Sequence, residues 1–492
     1  MNKLNILIAA SEVVPFAKTG GLADVVGALP KALRALGHDV RVVIPRYYGI
    51  DKEKYDLKPL EGSLGIPMGT MGELWAGVYE GKLPNSDVPI YFIEHEEFFG
   101  RAGLYEEDGF SYPDNDTRFI FFSRAVMQLA KKLHFHPDVI HANDWHTAAL
   151  PLMLNTHYAY DSDFSHTGSL LSIHNLEHQG RFSKAAMDVL DVSWDHFNAY
   201  ELEEYDGINL LKGGIVHADM ISTVSRKYAQ EIRTVEFGCG LNTLLEVESA
   251  KLHGILNGVD YEEWSPAIDP FIAQQFDVED MRGKEVCKTA LQKLFNLPER
   301  NEVPLIGLVG RLAEQKGIEL LSHAIWKLLE MDIQIVMLGA GEKWAEHYFN
   351  DIATKHPEKF GCFIGYRNDL AHQIEAGADL FLMPSLFEPC GLNQIYSLRY
   401  GTLPIVRATG GLDDTIENYH NDSLHGTGFK FYDASSDALV NTVGWAVHTW
   451  YNDPKGFKQM QTNAMSQRYD WIGAAQEYEA LYYTIKEGRK GK

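Results

Sequence analysis

Short runs of apolar residues alternate along the chain with longer segments that have helical periodicity. Apolar runs without polar alternation indicate strands covered on both faces, as in parallel sheets flanked by helices. In the first half a helix is predicted at about 22–36, and strands are predicted at Leu4–Ala10, Val40–Ile44, Asp138–His141, Ser169–Ile173 and Met220–Val224. The second half repeats the pattern, with strands predicted at Pro304–Val309, Ile333–Leu338, Cys362–Ile364, Leu380–Met383 and Leu403–Val406. Two such series predict two doubly wound α/β domains.

The boundary between the domains is predicted where turn-forming sequence interrupts the alternation. Asn257-Gly258 and Ser265-Pro266 favour turns, and prolines disfavour helix there. A final helical stretch at Gln467–Glu487 has no strand after it, and we expect it to pack back on the first domain. The predicted division is a first domain at residues 1–256, a second at residues 257–466 and a C-terminal helix within residues 467–492.

Length and composition agree with this architecture. A single hydrophobic core rarely grows beyond about 250–300 residues, so a chain of 492 residues favours two domains. Hydrophobic residues make up 45% of the chain and charged residues 23%, which is ordinary for a globular protein. The net charge of −24 disfavours nucleic acid and anionic membranes as partners, because both attract basic proteins.

The cysteines and the N-terminal sequence favour a soluble cytoplasmic protein. The four cysteines have neither CxxC nor zinc spacing, and scattered thiols fit a reducing compartment. The first apolar run is too short for the core of a signal peptide or for a membrane span. The cysteines are Cys239, Cys287, Cys362 and Cys390.

Chemistry is expected where the strands end, because doubly wound sheets bind ligands at the carboxyl ends of their strands. Lys18-Thr19-Gly20-Gly21 follows the first predicted strand and precedes a helix. Glycines let a ligand approach the backbone, and a helix N-terminus with a lysine beside it suits phosphate. The alternative interpretation is a tight turn with a solvated lysine.

Two further strand ends in the first half carry polar groups. Residues 141–146 (HANDWH) combine groups that can hydrogen-bond sugar hydroxyls or stack on a sugar ring, and His174 ends another predicted strand. The alternatives are a capping role for Asp144, a half-buried Trp145 and a structural His174. Zinc binding by the two histidines of residues 141–146 is disfavoured, because they flank a strand-to-helix turn and lack the HExxH pattern.

A cationic loop follows the first strand of the second half. Residues 310–317 (GRLAEQKG) place Arg311 and Lys316 beside a helix that is expected to begin near Gly317. Two cations and a helix N-terminus predict a diphosphate site. The alternative is a surface pair between Arg311 and Glu314.

An acidic loop follows the strand predicted at Leu380–Met383. Residues 384–392 (PSLFEPCGL) contain Glu388, followed by Cys390-Gly391, which we expect to open a helix. A carboxylate at this position is suited to binding ribose or hexose hydroxyls. The alternative is an acid that stabilises a helix N-terminus without any ligand.

Seven motifs occur in one order along the chain: KxGGL at 18–22, DWH at 144–146, IHN at 173–175, NGVD at 257–260, RLxxQKG at 311–317, FEPCGL at 387–392 and TGGLDDT at 409–415. Together they resemble the bacterial glycogen synthase and plant starch synthase family, over essentially the whole chain. The resemblance implies a GT-B fold, in which two Rossmann-like domains face each other across a cleft. The first would hold acceptor and catalytic groups and the second the nucleotide sugar. It also implies transfer of glucose from ADP-glucose to the non-reducing 4-hydroxyl of an α-1,4-glucan, with retention of configuration and without cofactor or metal.

The resemblance also assigns roles. Arg311 and Lys316 would grip the diphosphate and stabilise the departing ADP, and the His174 backbone carbonyl would be aimed at the reacting carbon. The implied catalytic residues are His174, Arg311, Lys316, Glu388 and Asp144. The implied substrate- and donor-binding residues are Lys18, Gly20, Gly21, Asp24, Tyr105, Trp145, Asn257, Gln315, Tyr366, Cys390, Gly391 and Leu392.

Two positions depart from patterns related to this family. Asn143 stands where the family often has histidine, and Tyr396 stands where many retaining GT-B enzymes have a second glutamate. Three rival functions stay open: a UDP-glucose-dependent glucosyltransferase, a glucan phosphorylase with pyridoxal phosphate, and an inactive glucan-binding regulatory protein. The motifs disfavour the first, the chain length disfavours the second, and the retained cations and Glu388 disfavour the third.

Overall fold

The computed structural model describes residues 3–490. Its strands differ from most of the predicted ones by one or two residues at an end, and Leu380–Met383 coincides with the prediction. In chain order they are β1 (Asn5–Ala9), β2 (Asp39–Pro45), β3 (Lys58–Pro59), β4 (Leu64–Pro67), β5 (Glu73–Lys82), β6 (Pro89–Glu94), β7 (Glu106–Glu107), β8 (Phe110–Ser111), β9 (Val139–Asn143), β10 (Gly168–Ile173), β11 (Arg181–Ser183), β12 (Glu203–Glu204), β13 (Gly207–Asn209), β14 (Met220–Thr223), β15 (Leu252–Gly254), β16 (Leu305–Val309), β17 (Gln334–Gly339), β18 (Phe360–Ile364), β19 (Leu380–Met383), β20 (Leu403–Arg407) and β21 (Phe429–Phe431).

Helices connect most of these strands. Within residues 3–490, no helix combines the length and the apolar character needed to cross a membrane. In chain order the α-helices are α1 (Gly21–Ala35), α2 (Glu96–Phe99), α3 (Asn115–Lys132), α4 (Ala149–Asn155), α5 (Ala186–Leu190), α6 (Leu210–His217), α7 (Arg226–Glu231), α8 (Asn242–Val247), α9 (Arg282–Leu294), α10 (Ile318–Glu330), α11 (Lys343–Lys355), α12 (Asn368–Gly377), α13 (Asn393–Arg399), α14 (Gly410–Thr415), α15 (Ser436–Asn452), α16 (Pro454–Ser466) and α17 (Trp471–Lys490).

The chain forms two compact units. The main division falls between Gly258 and Val259, inside the turn-forming sequence that marks the predicted boundary. The first unit comprises the chain up to Val224, Ala229–Gly258 and the chain from Trp471 onward, and the second comprises Ser225–Tyr228 and Val259–Asp470.

A doubly wound sheet forms the centre of the first unit. Its parallel strands lie in the order β6-β2-β1-β9-β10-β14-β15, so the chain moves outward from β1 in one direction and then resumes at β9 in the other. Antiparallel strands β5, β3 and β4 extend the β6 edge. The sequence pattern does not predict this extension, because β5 keeps many of its side chains partly exposed and contains no continuous apolar run.

The second unit repeats the same winding. Its sheet is parallel throughout, in the order β18-β17-β16-β19-β20-β21. Strands β16, β17 and β19 are buried almost completely, as expected for a sheet covered on both faces. The order reverses between β16 and β19, just as it reverses between β1 and β9 in the first unit.

The C-terminal helix α17 packs on the first unit, where it contacts α1, β9 and β10. It begins at Trp471 rather than at Gln467. One side of the helix is buried, at the spacing of an amphipathic helix, and comprises Ala474, Ala475, Tyr478, Leu481, Tyr482 and Ile485. Polar contacts add to this packing: Glu479 lies 2.9 Å from His38 Nε2, and ion pairs join Lys486 to Asp138 and Arg489 to Asp219.

Candidate active site

Each sheet has a point where the strand order reverses, and loops that leave neighbouring strands there diverge to opposite faces and open a crevice. In the first unit this point lies at the carboxyl ends of β1 and β9, and in the second at the carboxyl ends of β16 and β19. Most of the predicted site residues follow these strands or β10, the neighbour of β9.

A buried glutamate organises the loop after β1. Glu12 is 4% exposed, and its carboxylate accepts hydrogen bonds from the Thr19 hydroxyl (2.6 Å), the Gly20 N–H (3.2 Å), the Tyr105 hydroxyl (2.6 Å) and the Thr19 N–H. This carboxylate therefore holds the glycine loop in place. Glu12 is not among the residues predicted from the sequence, although an acidic residue three positions after a buried strand is a signal that could have identified it.

The loop itself is open on its outer side. A side chain added at Gly20 or Gly21 would meet no atom within 4 Å. Gly20 caps α1 without a side-chain hydrogen bond, so the first N–H groups of this long helix remain available for an anion. Lys18 is exposed and pairs with Asp24 at 2.7 Å, which brings two of the predicted binding residues together. The loop thus has the form expected of a phosphate or sugar contact.

Asp144 has an unusual backbone conformation at the end of β9. Its φ is +57°, a region that residues other than glycine rarely adopt and that concentrates at functional sites. It does not cap a helix with its side chain; its carboxylate accepts the His174 N–H at 2.7 Å. Burial raises the pKa of Asp144 to about 7, against the opposing effect of hydrogen bonds from the backbone of His174 and Asn175.

His174 is buried and held by Asn143. Its Nε2 lies 2.9 Å from Asn143 Oδ1, while Asn143 Nδ2 donates to the backbone carbonyls of Ala9 and His141. Because the amide nitrogen is committed to those carbonyls, the oxygen faces the imidazole, so Nε2 carries the proton and donates. Burial lowers the pKa of His174 to about 4, which keeps the ring neutral near pH 7.

Trp145, which is predicted to contact the substrate, is buried among aromatic side chains. It is 8% exposed and packs against Phe119, His146 and Phe182, with ring centroids 5.1, 4.0 and 5.5 Å away. A side chain at Gly180 would overlap the indole ring. Contact between Trp145 and a sugar stays a prediction, and the ring contacts fix the indole next to Asp144.

His141 is also committed to packing rather than to a metal. Its Nδ1 lies 2.9 Å from the Tyr482 hydroxyl and its Nε2 lies 2.6 Å from Ser172 Oγ. Both ring nitrogens are therefore used, and burial lowers the pKa of His141 to about 3. This network connects β9 and β10 to α17.

Two more predicted residues of the first unit have buried polar groups. The Tyr105 hydroxyl donates to Ser11 Oγ (2.7 Å) or Glu12, so it belongs to the cluster around the glycine loop. Asn257 is 6% exposed, and its Oδ1 has no hydrogen-bond partner within the described chain. An unpaired buried acceptor is costly, and a ligand hydroxyl or a water would satisfy it.

In the second unit the cationic and acidic loops meet. Lys316 Nζ donates to Glu388 Oε2 at 2.5 Å, and Ser385 Oγ donates to the same oxygen at 3.0 Å. Gly317 makes this contact possible: its φ is +70°, and a side chain there would overlap the Pro384 carbonyl. Lys316 is thus not a free cation lining an open surface; Glu388 is 5% exposed and depends on it for charge compensation.

Arg311 is exposed and donates to Gln315 Oε1 at 2.9 Å rather than pairing with Glu314. Gln315 in turn extends its Nε2 toward the Phe387 carbonyl at 3.4 Å. Arg311 and Lys316 line the same cavity of ≈ 80 Å³, together with Ser385 and Asn393. Both predicted cations therefore reach one pocket at the point where the strand order reverses.

The Cys390–Leu392 segment lies against the glycines that follow β20. Side chains at Gly410 and Gly411 would overlap the carbonyls of Glu388 and Cys390, so only glycine permits this approach. The helix expected to open at Cys390 begins instead at Asn393, because Gly391 turns the chain with φ +70°. Tyr366 is 73% exposed, and its hydroxyl donates to Asn368 rather than to the other predicted residues.

Comparison with known proteins agrees with this arrangement. Residues 5–247 match the family model described as starch synthase catalytic domain, and residues 292–466 match that of glycosyl transferases group 1. Glycogen synthase 1 of Geobacter metallireducens is 55% identical over 492 residues, covering 100% of this chain and 98% of its own. Glycogen synthase of Anaeromyxobacter sp. strain Fw109-5 is 46% identical, covering 98% of this chain and 99% of its own.

The chain belongs to the glycogen and starch synthase family. Among solved structures, the catalytic domain of starch synthase IV from Arabidopsis thaliana, bound to ADP and acarbose, superimposes with a TM-score of 0.90 at 33% identity, over 99% of this chain and 100% of that one. Sucrose-phosphate synthase from Thermosynechococcus elongatus has a TM-score of 0.59 at 16% identity, over 98% of this chain and 99% of that one, and shares the fold alone. The predicted family and its GT-B fold of two Rossmann-like units are confirmed.

Proposed function

We propose that this glycosyltransferase is a glycogen synthase, which transfers glucose from ADP-glucose to the non-reducing 4-hydroxyl of an α-1,4-glucan with retention of configuration. The observation that carries the proposal is the meeting of Arg311, Lys316 and Glu388 where the order of the second sheet reverses. The curated relatives named glycogen synthase support it over the full length of the chain.

The proposed task of Arg311 and Lys316 is to bind the diphosphate. Each presents positive charge to one small cavity, and the glycine-rich backbone nearby allows close approach. Negative charge grows on the phosphate oxygen as the bond to glucose breaks, so cations placed in advance stabilise the transition state more than the ground state. Glu388 keeps the ammonium of Lys316 in position and is available to sugar hydroxyls.

The residues of the first unit are proposed to act on the transferred glucose. His174 is neutral, and since Nε2 carries the proton its Nδ1 can accept a hydrogen bond from a sugar hydroxyl. Asp144 fixes the backbone at His174, which sets the direction of the His174 carbonyl that we propose faces the reacting carbon. The unpaired Asn257 Oδ1 provides another acceptor for a hydroxyl.

The proposed reaction is a front-face displacement. The bond between glucose C1 and the phosphate oxygen breaks, and the acceptor O4 forms a bond with C1 on the same face. The acceptor proton passes to the departing phosphate, so no protein base and no metal enter the step. The product bond is α-linked, as is the donor bond.

Labelled maltoheptaose extension tests this function. We expect incubation with radiolabelled ADP-glucose to lengthen the acceptor one glucose at a time, and β-amylase, which cleaves only α-1,4 linkages, to release the label as maltose. Label that resists β-amylase would contradict retention and the 1,4 linkage. Release of free glucose without chain extension would instead indicate a hydrolase.

A further inference from the structure

A cluster of two histidines and one glutamate lies in the first unit, away from the proposed catalytic groups. His196 Nδ1 lies 2.6 Å and His217 Nε2 lies 2.8 Å from the same oxygen, Glu201 Oε2. Within residues 3–490, they form the group of three His, Cys, Asp or Glu side chains whose potential ligand atoms all lie within 4.8 Å of one another. None belongs to a motif named in the sequence analysis.

The cluster lies near the amino ends of the parallel strands, whereas Asp144 and His174 lie at their carboxyl ends. His217 is the last residue of α6 and directly precedes β14, so it lies at the amino end of that strand. Asp144 and His174 follow the carboxyl ends of β9 and β10, and β10 runs parallel to both β9 and β14. A ligand bound by the cluster would therefore act on the fold and not on the reacting sugar.

Partly buried polar contacts hold the cluster in position before any ion binds. Asn198 Nδ2 donates to Glu201 Oε1 at 3.1 Å, which leaves the other carboxylate oxygen for the histidines. Lys212, in the helix that ends at His217, donates to the carbonyls of Ala199 and Glu203 on both sides of Glu201. The three side chains are only partly buried, at 24%, 21% and 12% exposure, so an ion has access to them.

We propose that His196, Glu201 and His217 form a structural binding site for a divalent transition metal of the zinc class. Two imidazole nitrogens and one carboxylate oxygen are a ligand set of zinc, whereas calcium and magnesium prefer oxygen ligands alone. A water completes the tetrahedron. Zinc lies about 2.0–2.2 Å from each of its ligand atoms, which places those atoms farther from one another than hydrogen-bonded atoms are. The Glu201 carboxylate and the two imidazole rings therefore separate slightly as the ion enters.

Metal ligands must be deprotonated, so binding of the ion releases any proton that His196, Glu201 or His217 holds in its place. The bound ion would tie the 194–201 segment to the end of α6.

Zinc titration of the full chain tests the site. After removal of metal by a chelator, we expect calorimetry to show one equivalent of Zn²⁺ bound with micromolar or tighter affinity, and the melting temperature to rise on addition of zinc. Cobalt(II) should give the visible absorption of a four-coordinate site. Turnover at 25 °C should be equal with and without zinc, because the cluster lies at the other end of the strands from the proposed catalytic residues.

Matched variants decide whether this cluster is the site. His217→Gln and His196→Gln should each weaken zinc binding by more than about 100-fold, because loss of a residue that merely supports a metal ligand already costs about 10–100-fold in affinity. His136→Gln, at an exposed histidine beside Asp163, should leave binding unchanged. The more exposed His196 keeps the test valid if His217→Gln fails to fold. Absence of stoichiometric binding, or binding that persists in both cluster variants, would overturn the proposal and leave a hydrogen-bonded triad.

Discussion

Arg311 and Lys316 lie in the same loop but have different partners, Gln315 and Glu388. Substitution of Arg311 should therefore affect activity alone, whereas substitution of Lys316 should affect both activity and stability. Arg311 is exposed and bonded only to Gln315 among the contacts described, so Arg311→Ala removes charge at little cost to stability. We predict that it lowers kcat by about 10²–10³, the scale for one preorganised charge-stabilising donor. Steady-state kinetics with ADP-glucose, alongside thermal melting, measures both effects. Near-normal kcat with raised KM would assign Arg311 to ground-state binding.

Lys316→Ala should lower kcat by a similar factor and also destabilise the second unit. It leaves the buried Glu388 carboxylate without its cation, and an unsatisfied buried charge costs at least about 1–3 kcal/mol. The double variant Lys316→Ala/Glu388→Gln should recover stability but not kcat. Lys316→Arg should restore kcat poorly, because a planar guanidinium does not replace a compact ammonium. Recovery of kcat in the double variant would show that Lys316 acts only through Glu388.

Glu12 is predicted to act through the loop that it holds. Glu12→Gln replaces an acceptor of several hydrogen bonds by an amide, half of which is a donor, so the Thr19 and Gly20 N–H groups lose their partner. We expect faster hydrogen exchange in residues 18–21 and a fall in kcat/KM for ADP-glucose of about tenfold or more. Glu61→Gln, at an exposed glutamate, is the matched control. Unchanged exchange in the loop would contradict this role.

The network around His141 links two strands to the last helix and should make the first unit sensitive to acid. Burial lowers the pKa of His141 to about 3, whereas the unfolded chain protonates this residue near its ordinary value of 6.5. Below pH 6.5 the unfolded state binds a proton at His141 that the folded state does not bind. The contribution of His141 to the free energy of unfolding is therefore complete above pH 6.5 and falls as the pH drops toward 3.

We therefore predict that His141→Gln flattens the pH dependence of stability. Between pH 7.5 and pH 5 the wild-type chain should lose about 2 kcal/mol more of its free energy of unfolding than the variant, from ~1.4 kcal/mol per pH unit. Urea unfolding, followed by hydrogen exchange in peptides from β9 and β10, reports on this unit. His136→Gln is the control for a histidine outside the network. Parallel pH profiles of wild type and His141→Gln would show that His141 does not supply the effect.

The elements that could be predicted are those whose cause lies within a short stretch of sequence. Strands such as Leu380–Met383 are continuous apolar runs, and the Gly317 turn is marked by its glycine. Strand β5 could not be predicted, because its half-exposed residues resemble a loop. The burial of Trp145 could not be predicted, because it depends on Phe119 and Gly180, which are distant in sequence. The partners of Glu12 and the convergence of His196 with His217 likewise arise only in the folded chain.

Both units use the same strand order, and this repetition explains why the predicted residues form two groups. Each group follows the strands on either side of the reversal, β1 and β9 in one unit and β16 and β19 in the other. The family matches extend over both units, and we propose that both units contribute residues to the reaction. The proposed division gives the nucleotide diphosphate to the second unit and the sugar to the first.

A comparison of the two sugar-nucleotide donors tests the central claim most directly. Initial rates of glucose transfer to glycogen would be measured with ADP-glucose and with UDP-glucose across the same concentrations, with Arg311→Ala as the control that the activity belongs to this chain. We predict a kcat/KM at least about tenfold higher for ADP-glucose, which corresponds to ~1.4 kcal/mol of transition-state stabilisation. An equal or higher kcat/KM with UDP-glucose would contradict the proposed function.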